Sequence, residues 1–595
     1  MMKKFLLIVC GSFVGVWLAL TIFFVTSIIM SFAMIGISAA QSGKNASVTE
    51  HSILHLDLNG EITERATDSD MDMMAMLQGS NIKSEGLNTL VSAIKNAKEN
   101  KNIDGIYIEC EGVGASPATM HTLRAALKDF KSSGKFVYAY AHQGYAQGDY
   151  YIASVADSMF LNPVGSVDIH GLSSNVPYPK KLLDKLGIEM QVVRVGTFKS
   201  AVEPYMIEEM SDANRLQTEA YLGNIWKTMV DSMAVDRKIT PEAFNALADG
   251  VVATQAADSL VKSKLVDKLC YKNEMEDRLK ALTKVEKDDD LNLVYPDDIA
   301  DDFSMEASGD KVAVLYAVGE IDGQQSPMSN EEGIDSEEIA DAVRDLIDDD
   351  DVKALVLRVN SPGGSAFGSE QMWKALDDFK KSGKPFVVSM GDYAASGGYY
   401  ISCNADHIFA EPTTITGSIG IFGVIPCFDE LRENKLGINI CTVKTNENSD
   451  MGAHRLTPVQ HAAMQNMVNQ GYELFTKHCA DGRHVTQDSI KVIAEGRVWD
   501  GISAKKIGLV DELGNLDAAI KWAANKAKLK DGKYETQYYP QAKSNWEKML
   551  EDYMVSRYEA RLQGEMGMLY EYHKYITSLM NRDHVLCIME KPVIK

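Results

Sequence analysis

Lys384–Gly423 reads KPFVVSMGDYAASGGYYISCNADHIFAEPTTITGSIGIFG. Phe386–Met390 (FVVSM) is an apolar, β-branched run that predicts a buried strand. Ser396-Gly397-Gly398 is a tight turn, Tyr399–Cys403 (YYISC) predicts a short helix, and a second strand starts at His407. Strand, glycine-rich turn, helix and strand in that order indicate an α/β unit. A serine at such a turn can present its hydroxyl among backbone N–H groups, which is what a nucleophile needs. An ordinary Gly/Ser turn looks the same, so the turn by itself decides nothing about chemistry.

The pattern occurs twice. An offset of 249 residues sets Ile103–Cys110 (IDGIYIEC) on Val352–Val359 (VKALVLRV) and Leu127–Lys135 (LKDFKSSGK) on Leu376–Lys384 (LDDFKKSGK). It also sets Tyr150-Tyr151-Ile152 on Tyr399-Tyr400-Ile401, and Asp157, Phe160, Pro163 and Gly171 on Asp406, Phe409, Pro412 and Gly420. No gap is needed over about a hundred residues, which marks an internal duplication. One strand pattern precedes each copy, Ile53–Ile62 (ILHLDLNGEI) and Val312–Ile321 (VAVLYAVGEI). Each copy reads strand–helix–strand–helix, so the chain is α/β in two tandem units, joined by the Asp- and Lys-rich linker Lys284–Gly309.

The 595 residues leave room for two or more domains, and 45% apolar content supports a sizeable core. A net charge of −24 argues against a nucleic-acid binder, which carries a basic face. The cysteines (Cys10, Cys110, Cys270, Cys403, Cys427, Cys441, Cys479 and Cys587) are scattered, without CxxC, and suggest neither zinc nor a disulfide framework. The histidines form no HExxH cluster, so no protein-built metal site is expected. Phe5–Ala40 is uncharged and exceeds the roughly 20 residues of a membrane span. It is longer than the about 7–15 apolar residues of a cleaved signal peptide, although Ala39-Ala40 would permit cleavage. Lys3 and Lys4 before it favour a cytoplasmic N-terminus, with everything after Gln41 on the far side. Gln41–Glu50 is a polar tether, Asp500–Ala524 is helical, and Ser544–Met580 carries aromatics and Met at helical spacing, as a packing or oligomer-contact helix would. Val585–Met589 reads as a closing strand.

The differences between the copies are informative. Ser396 falls opposite Gln147, and Asn360–Gly364 (NSPGG) falls opposite Glu111–Ala115 (EGVGA). A purely structural turn has no reason to keep a serine and a Pro-Gly-Gly in one copy only. A nucleophilic serine needs a base. His407 reads as structural, and His454 and His461 sit beside a polar stretch with no pattern. A lysine made neutral by burial is the other solution. Lys199 follows the predicted strand Met190–Gly196 (MQVVRVG), and its counterpart is Asn448. Serine kept in one half and lysine in the other is what a single site drawing one group from each half requires.

These stretches resemble a known family. VNSPGGS (Val359–Ser365), GDYAASGGYYIS (Gly391–Ser402), TGSIGIFG (Thr416–Gly423) and RVGTFKSAVEPY (Arg194–Tyr205) are similar to the motifs of the long, internally duplicated form of the signal peptide peptidase A family, membrane-anchored bacterial serine proteases. The resemblance runs from the N-terminus to about Ala524 and is weakest beyond about Gly532. It implies an anchor and tether (1–46), a crotonase-like (Clp protease-like) half carrying the base (47–290), a second such half carrying the nucleophile (300–530) and a helical C-terminal extension (531–595). By the same resemblance Ser396 is the nucleophile, Lys199 the general base, Gly364 and Gly397 supply the oxyanion-hole N–H groups, and Ser418 aims the lysine. It further implies a bowl-shaped homotetramer on the periplasmic side of the bacterial inner membrane. No metal and no cofactor are implied, and the substrates are cleaved signal peptides and other short apolar peptides. Two other readings stay open on the residues alone. One is an acyl-CoA enzyme, because a fold does not dictate a function; the external placement argues against it, since CoA is cytoplasmic. The other is a non-catalytic membrane scaffold.

Overall fold

The computed structural model describes residues 48–65, 85–301, 303, 308–323, 333–452, 454–530, 532–540 and 585–589. The expected anchor Phe5–Ala40 and the expected helix Ser544–Met580 lie outside the described residues. Among the described residues, no helix is long and apolar enough to cross a membrane.

In the first half, β1 (Ser52–Thr63), β2 (Ile103–Gly114), β3 (Phe136–Ala141), β4 (Ser158–Leu161), β6 (Lys268–Leu269) and β7 (Leu293–Val294) form a parallel sheet in the order β7-β1-β2-β3-β4-β6; β5 (Glu189–Arg194) belongs elsewhere. Helices cover both faces of such a sheet, so its strands are near-continuous apolar runs. Leu54, Leu56, Ile106, Ile108, Val137 and Ala139 are fully buried. Helices α1 (Leu87–Glu99) and α2 (Pro117–Lys131) bury apolar stripes on this core, and the long α3 (Asp212–Arg237) is capped by Ser211, whose Oγ accepts from the Asn214 N–H. The linker is not wholly free of structure, since β7 comes from it and joins the edge of this sheet.

The second half repeats the plan. It comprises β8 (Lys311–Val318), β9 (Val352–Ser361), β10 (Gly363–Ser365), β11 (Phe386–Ala395), β12 (His407–Ala410), β13 (Ile415–Gly417), β14 (Phe422–Cys427), β15 (Val498–Asp500), β16 (Glu512–Leu513) and β17 (Glu535–Tyr539). The main sheet runs β15-β13-β11-β9-β8-β17, with β12 beside β11 and β16 beside β12. Helices α4 (Ser336–Asp348), α5 (Ala366–Lys381) and α6 (Pro458–Arg483) match α1, α2 and α3. Strand β17, which the sequence reading left in the C-terminal extension, completes this sheet against β8.

A third, antiparallel sheet joins the halves. It runs β10-β18-β14-β5, where β18 (Val585–Ile588) is the closing strand. Strand β5 of the first half pairs along its length with β14 of the second, from Arg194 opposite Phe422 to Glu189 opposite Cys427. Buried polar contacts also cross the junction. Arg358 holds Glu64 through two bonds of 3.0 Å, Thr119 donates from its N–H and hydroxyl to Asp392, and Thr122 donates to Glu411. These matched pairs set how the halves dock, and the docking sets the site.

Candidate active site

Ser396 lies between the end of β11 and the short helix Gly397–Tyr400, as its N-cap residue. Its backbone lies at φ +56, ψ −113, a conformation L-residues avoid, so the turn holds it under strain. The neighbours impose this. Its N–H donates to the Gly417 carbonyl at 2.8 Å, while its own carbonyl accepts from the Tyr400 N–H at 2.8 Å. Ser396 is wholly buried.

Lys199 arrives from the other half. It follows β5, at the start of the 3-10 turn Ser200–Val202. The Phe198 N–H donates to the Glu495 carbonyl at 2.9 Å, and the Gln217 amide donates to the Phe198 carbonyl at 3.2 Å. Arg194 donates to the Lys199 carbonyl at 3.3 Å. Gly496, at φ +77, closes against the lysine backbone, where any side chain would come within 2.6 Å of Lys199 Cβ. The lysine side chain is 1% exposed.

Its amine reaches three oxygens: Ser396 Oγ at 2.8 Å, the Ser418 carbonyl at 3.1 Å and Ser418 Oγ at 3.1 Å. Burial pushes the amine down from the ordinary lysine value to about 7, opposed only weakly by the nearby Cys587 thiol. Lys199 is therefore a buried, hydrogen-bonded amine that exchanges its proton near neutral pH, in contact with a serine hydroxyl.

Gly364 stands close by in β10. The Ser365 N–H and the Ile321 carbonyl bond at 2.9 Å, and a Cβ on Gly364 would lie 2.1 Å from that carbonyl. Only glycine fits there. Gly397 directly follows the serine, so Ser396, Lys199, Ser418, Gly364 and Gly397, all singled out from sequence, meet at the junction of the two halves. His407 stacks on Trp522 and His454 bonds Asp429, both in structural roles. Among the described residues, no group of side chains is arranged to hold a metal ion.

The first half shows what became of the second copy. Gln147 accepts from the His170 and Gly171 N–H groups, at 3.0 and 2.9 Å. Asp149, the counterpart of Gly398, accepts from the Gly112, Val113 and Ala146 N–H groups. In the first half, side-chain oxygens of Gln147 and Asp149 thus take the backbone N–H groups of this turn. Sequence reading missed Asp149, Gln217, Gly496 and the placement of Cys587. The Gly-to-Asp change at the 249-residue offset was the available signal for the first of these; the other three depend on contacts between distant segments.

The model of peptidase family S49 matches residues 129–286 and 378–530, one segment in each half and together just over half of the chain. Protease 4 of Salmonella typhi is 38% identical over 515 residues, which cover 84% of this chain and 82% of that one. Protease 4 of Haemophilus influenzae is 35% identical over 524 residues, covering 85% and 84%. Among solved structures, a ClpP1 mutant from Listeria monocytogenes matches 35% of this chain and 94% of its own, at 13% identity and a TM-score of 0.24. The family match in both halves, together with relatives similar over most of their length, means that this chain belongs to peptidase family S49 and is a serine peptidase.

Proposed function

We propose that the chain is a membrane-anchored endopeptidase that cleaves short apolar peptides, cleaved signal peptides among them, with a Ser396/Lys199 dyad built from two crotonase-like halves. The contact of 2.8 Å between Lys199 Nζ and Ser396 Oγ carries this reading. Neutral Lys199 takes the Ser396 proton, and the serine oxygen attacks the peptide carbonyl. The Gly364 and Gly397 N–H groups receive the oxyanion, a contribution of about 2.7–4 kcal/mol for each donor. Lys199 then gives the proton to the leaving amine, and water releases the acyl group by the same route. Ser418, with two oxygens on the amine, keeps it aimed at the serine.

Phe5–Ala40 supplies the anchor and places the catalytic halves on the periplasmic side of the inner membrane. Assembly into a tetramer has support in the repeat. The offset of 249 residues carries β5 onto Ile438–Val443 and β14 onto Ser173–Tyr178. Ile438 and Val443 are 53% and 97% exposed. Pairing these segments between copies would repeat the β5–β14 contact head to tail, the kind of contact from which rings are built.

The test is hydrolysis of an apolar reporter peptide by the detergent-solubilised full chain. Ser396→Ala and Lys199→Ala are each expected to abolish it while the far-ultraviolet circular dichroism stays native. Hydrolysis retained by Lys199→Ala would falsify the dyad.

A further inference from the structure

Gln217 lies in the first half, near the start of α3, and is buried. Its Nε2 donates to the Phe198 carbonyl at 3.2 Å and to Ser200 Oγ at 3.1 Å, the residues on either side of Lys199. The same nitrogen reaches Asn214 Oδ1 at 3.1 Å, and the Asn214 amide donates to the Glu203 carboxylate at 3.2 Å. Its Oε1 accepts from the Val498 N–H at 3.1 Å, 281 residues away in the other half. One side chain thus donates to the segment of the base and accepts from the second half. A carboxamide carries both a donor and an acceptor on one planar head, and the two backbone partners fix which end faces which.

Val498 belongs to β15, which pairs antiparallel with β13 and sets Val498 opposite Gly417. The rest of the site is built on that pairing. The Ser418 N–H donates to the Arg497 carbonyl at 2.7 Å, and the Ser396 N–H donates to the Gly417 carbonyl at 2.8 Å. The Arg497 guanidinium lies over the Phe198 ring at 5.0 Å and the Trp499 ring at 4.2 Å, a second brace between the lysine segment and β15. Two turns along α3, on the same face, Asn224 donates to Asp500 Oδ2 at 2.8 Å and to Ser503 Oγ at 3.2 Å. Both of these bonds go to the second half.

We propose that Gln217 is a positioning residue: by tying the lysine segment to β15 it sets where the Lys199 amine stands relative to Ser396 and Ser418; this rests on the dyad reading above. Without the carboxamide, the Phe198 carbonyl and the Val498 N–H lose their common partner. The lysine segment then relaxes from the second half and water reaches the amine. The base keeps its proton to a higher pH, because burial is what lowers it. A buried group that acts through Lys199 in this way costs kcat rather than KM.

The test compares Gln217→Met, which keeps the length of the side chain, with Asn224→Leu, in the full chain acting on the apolar reporter. Each variant is measured for kcat, KM, the pH profile and thermal unfolding. Gln217→Met is expected to lower kcat about tenfold to a hundredfold with KM within about twofold, and to move the acid limb of kcat/KM up by about one pH unit. Asn224→Leu is expected to unfold at a lower temperature with a native kcat and a native limb. Should Gln217→Met not fold, Gln217→Asn takes its place: one methylene shorter, it cannot span Phe198 and Val498 together, and the same upward shift is expected. A native kcat and limb in the Gln217 variant would overturn the positioning role and leave the dyad standing. Matching losses and limb shifts in Asn224→Leu would do the same, since they would reduce Gln217 to a general docking contact. Reporter hydrolysis retained by Lys199→Ala would overturn the dyad and the positioning role with it.

Discussion

Lys199 Nζ and Ser396 Oγ lie 2.8 Å apart although 197 residues separate them in the chain. Among the described residues, no carboxylate contributes to holding the proton on that amine; burial sets its affinity, and only the Cys587 thiol opposes. A lysine in this position gives up its proton far more readily than one at the surface.

Activity should therefore follow deprotonation of Lys199. Its pKa of about 7 places the acid limb of kcat/KM across neutrality, with a fall of about tenfold for each pH unit below it. A pH–rate profile of the free enzyme checks this. A limb centred in the ordinary carboxylate range would point to another base.

Lys199→Met is expected to be inactive and yet more stable. Between about 7 and the ordinary lysine value, the unfolded chain holds a proton that the folded chain has released. Stability therefore climbs with pH in that window, and below it the full cost is present, on the order of 5 kcal/mol. Methionine removes the titration but leaves Ser396 and Ser418 without their partner, so a net gain of about 1–3 kcal/mol at pH 7 is expected. Urea unfolding of both proteins at pH 7 and pH 10 measures it. A pH slope as steep in the variant as in the native chain would rule the explanation out.

Gly496→Ala should disable the enzyme while leaving the Ser396 hydroxyl and the Lys199 amine chemically unaltered. The new Cβ meets Lys199 Cβ, Cα and N at 2.6–2.7 Å, so the lysine must shift. A loss of about a hundredfold in kcat is expected, since displacements of about an ångström have that effect. Gly508→Ala is the control: its φ of +81 carries similar backbone strain, but nothing lies within 4 Å. Equal activity in the two variants would sink the positioning role.

Arg358→Met should unfold the junction between the halves. The change leaves the Glu64 carboxylate buried without its partner, at about 3–5 kcal/mol. The double variant Glu64→Gln, Arg358→Met should recover much of that loss. Thermal unfolding of the single and double variants decides it, and additive losses would mean that the pair is not coupled.

The repeat shows where legibility began and ended. Ile103–Cys110 and Val352–Val359 are apolar runs at a constant spacing, and β2 and β9 lie where that spacing predicts. The offset set Ser396 against Gln147 and Lys199 against Asn448 before any coordinates, and the structure brings that serine and that lysine to 2.8 Å. Gly496 was not legible, because its importance is a contact with Lys199 that no local pattern encodes. Val585–Met589 was readable as a strand, but the same alternation would suit any sheet edge.

Residue type and spacing alone therefore determined the α/β class and the duplication, and singled out Ser396 and Lys199 as candidates. Periodicity and turn chemistry are short-range properties, carried by neighbouring residues and copied intact when a segment is duplicated. The tertiary structure decided what those residues meet. Docking β5 against β14 brings the amine to the hydroxyl and takes both out of water, and burial is what lowers the lysine. It also pairs β18 with Gly363–Ser365, next to the serine turn. Burial, proton affinity and strand partnership depend on surroundings contributed by distant segments, and those surroundings exist only once the halves have closed on each other.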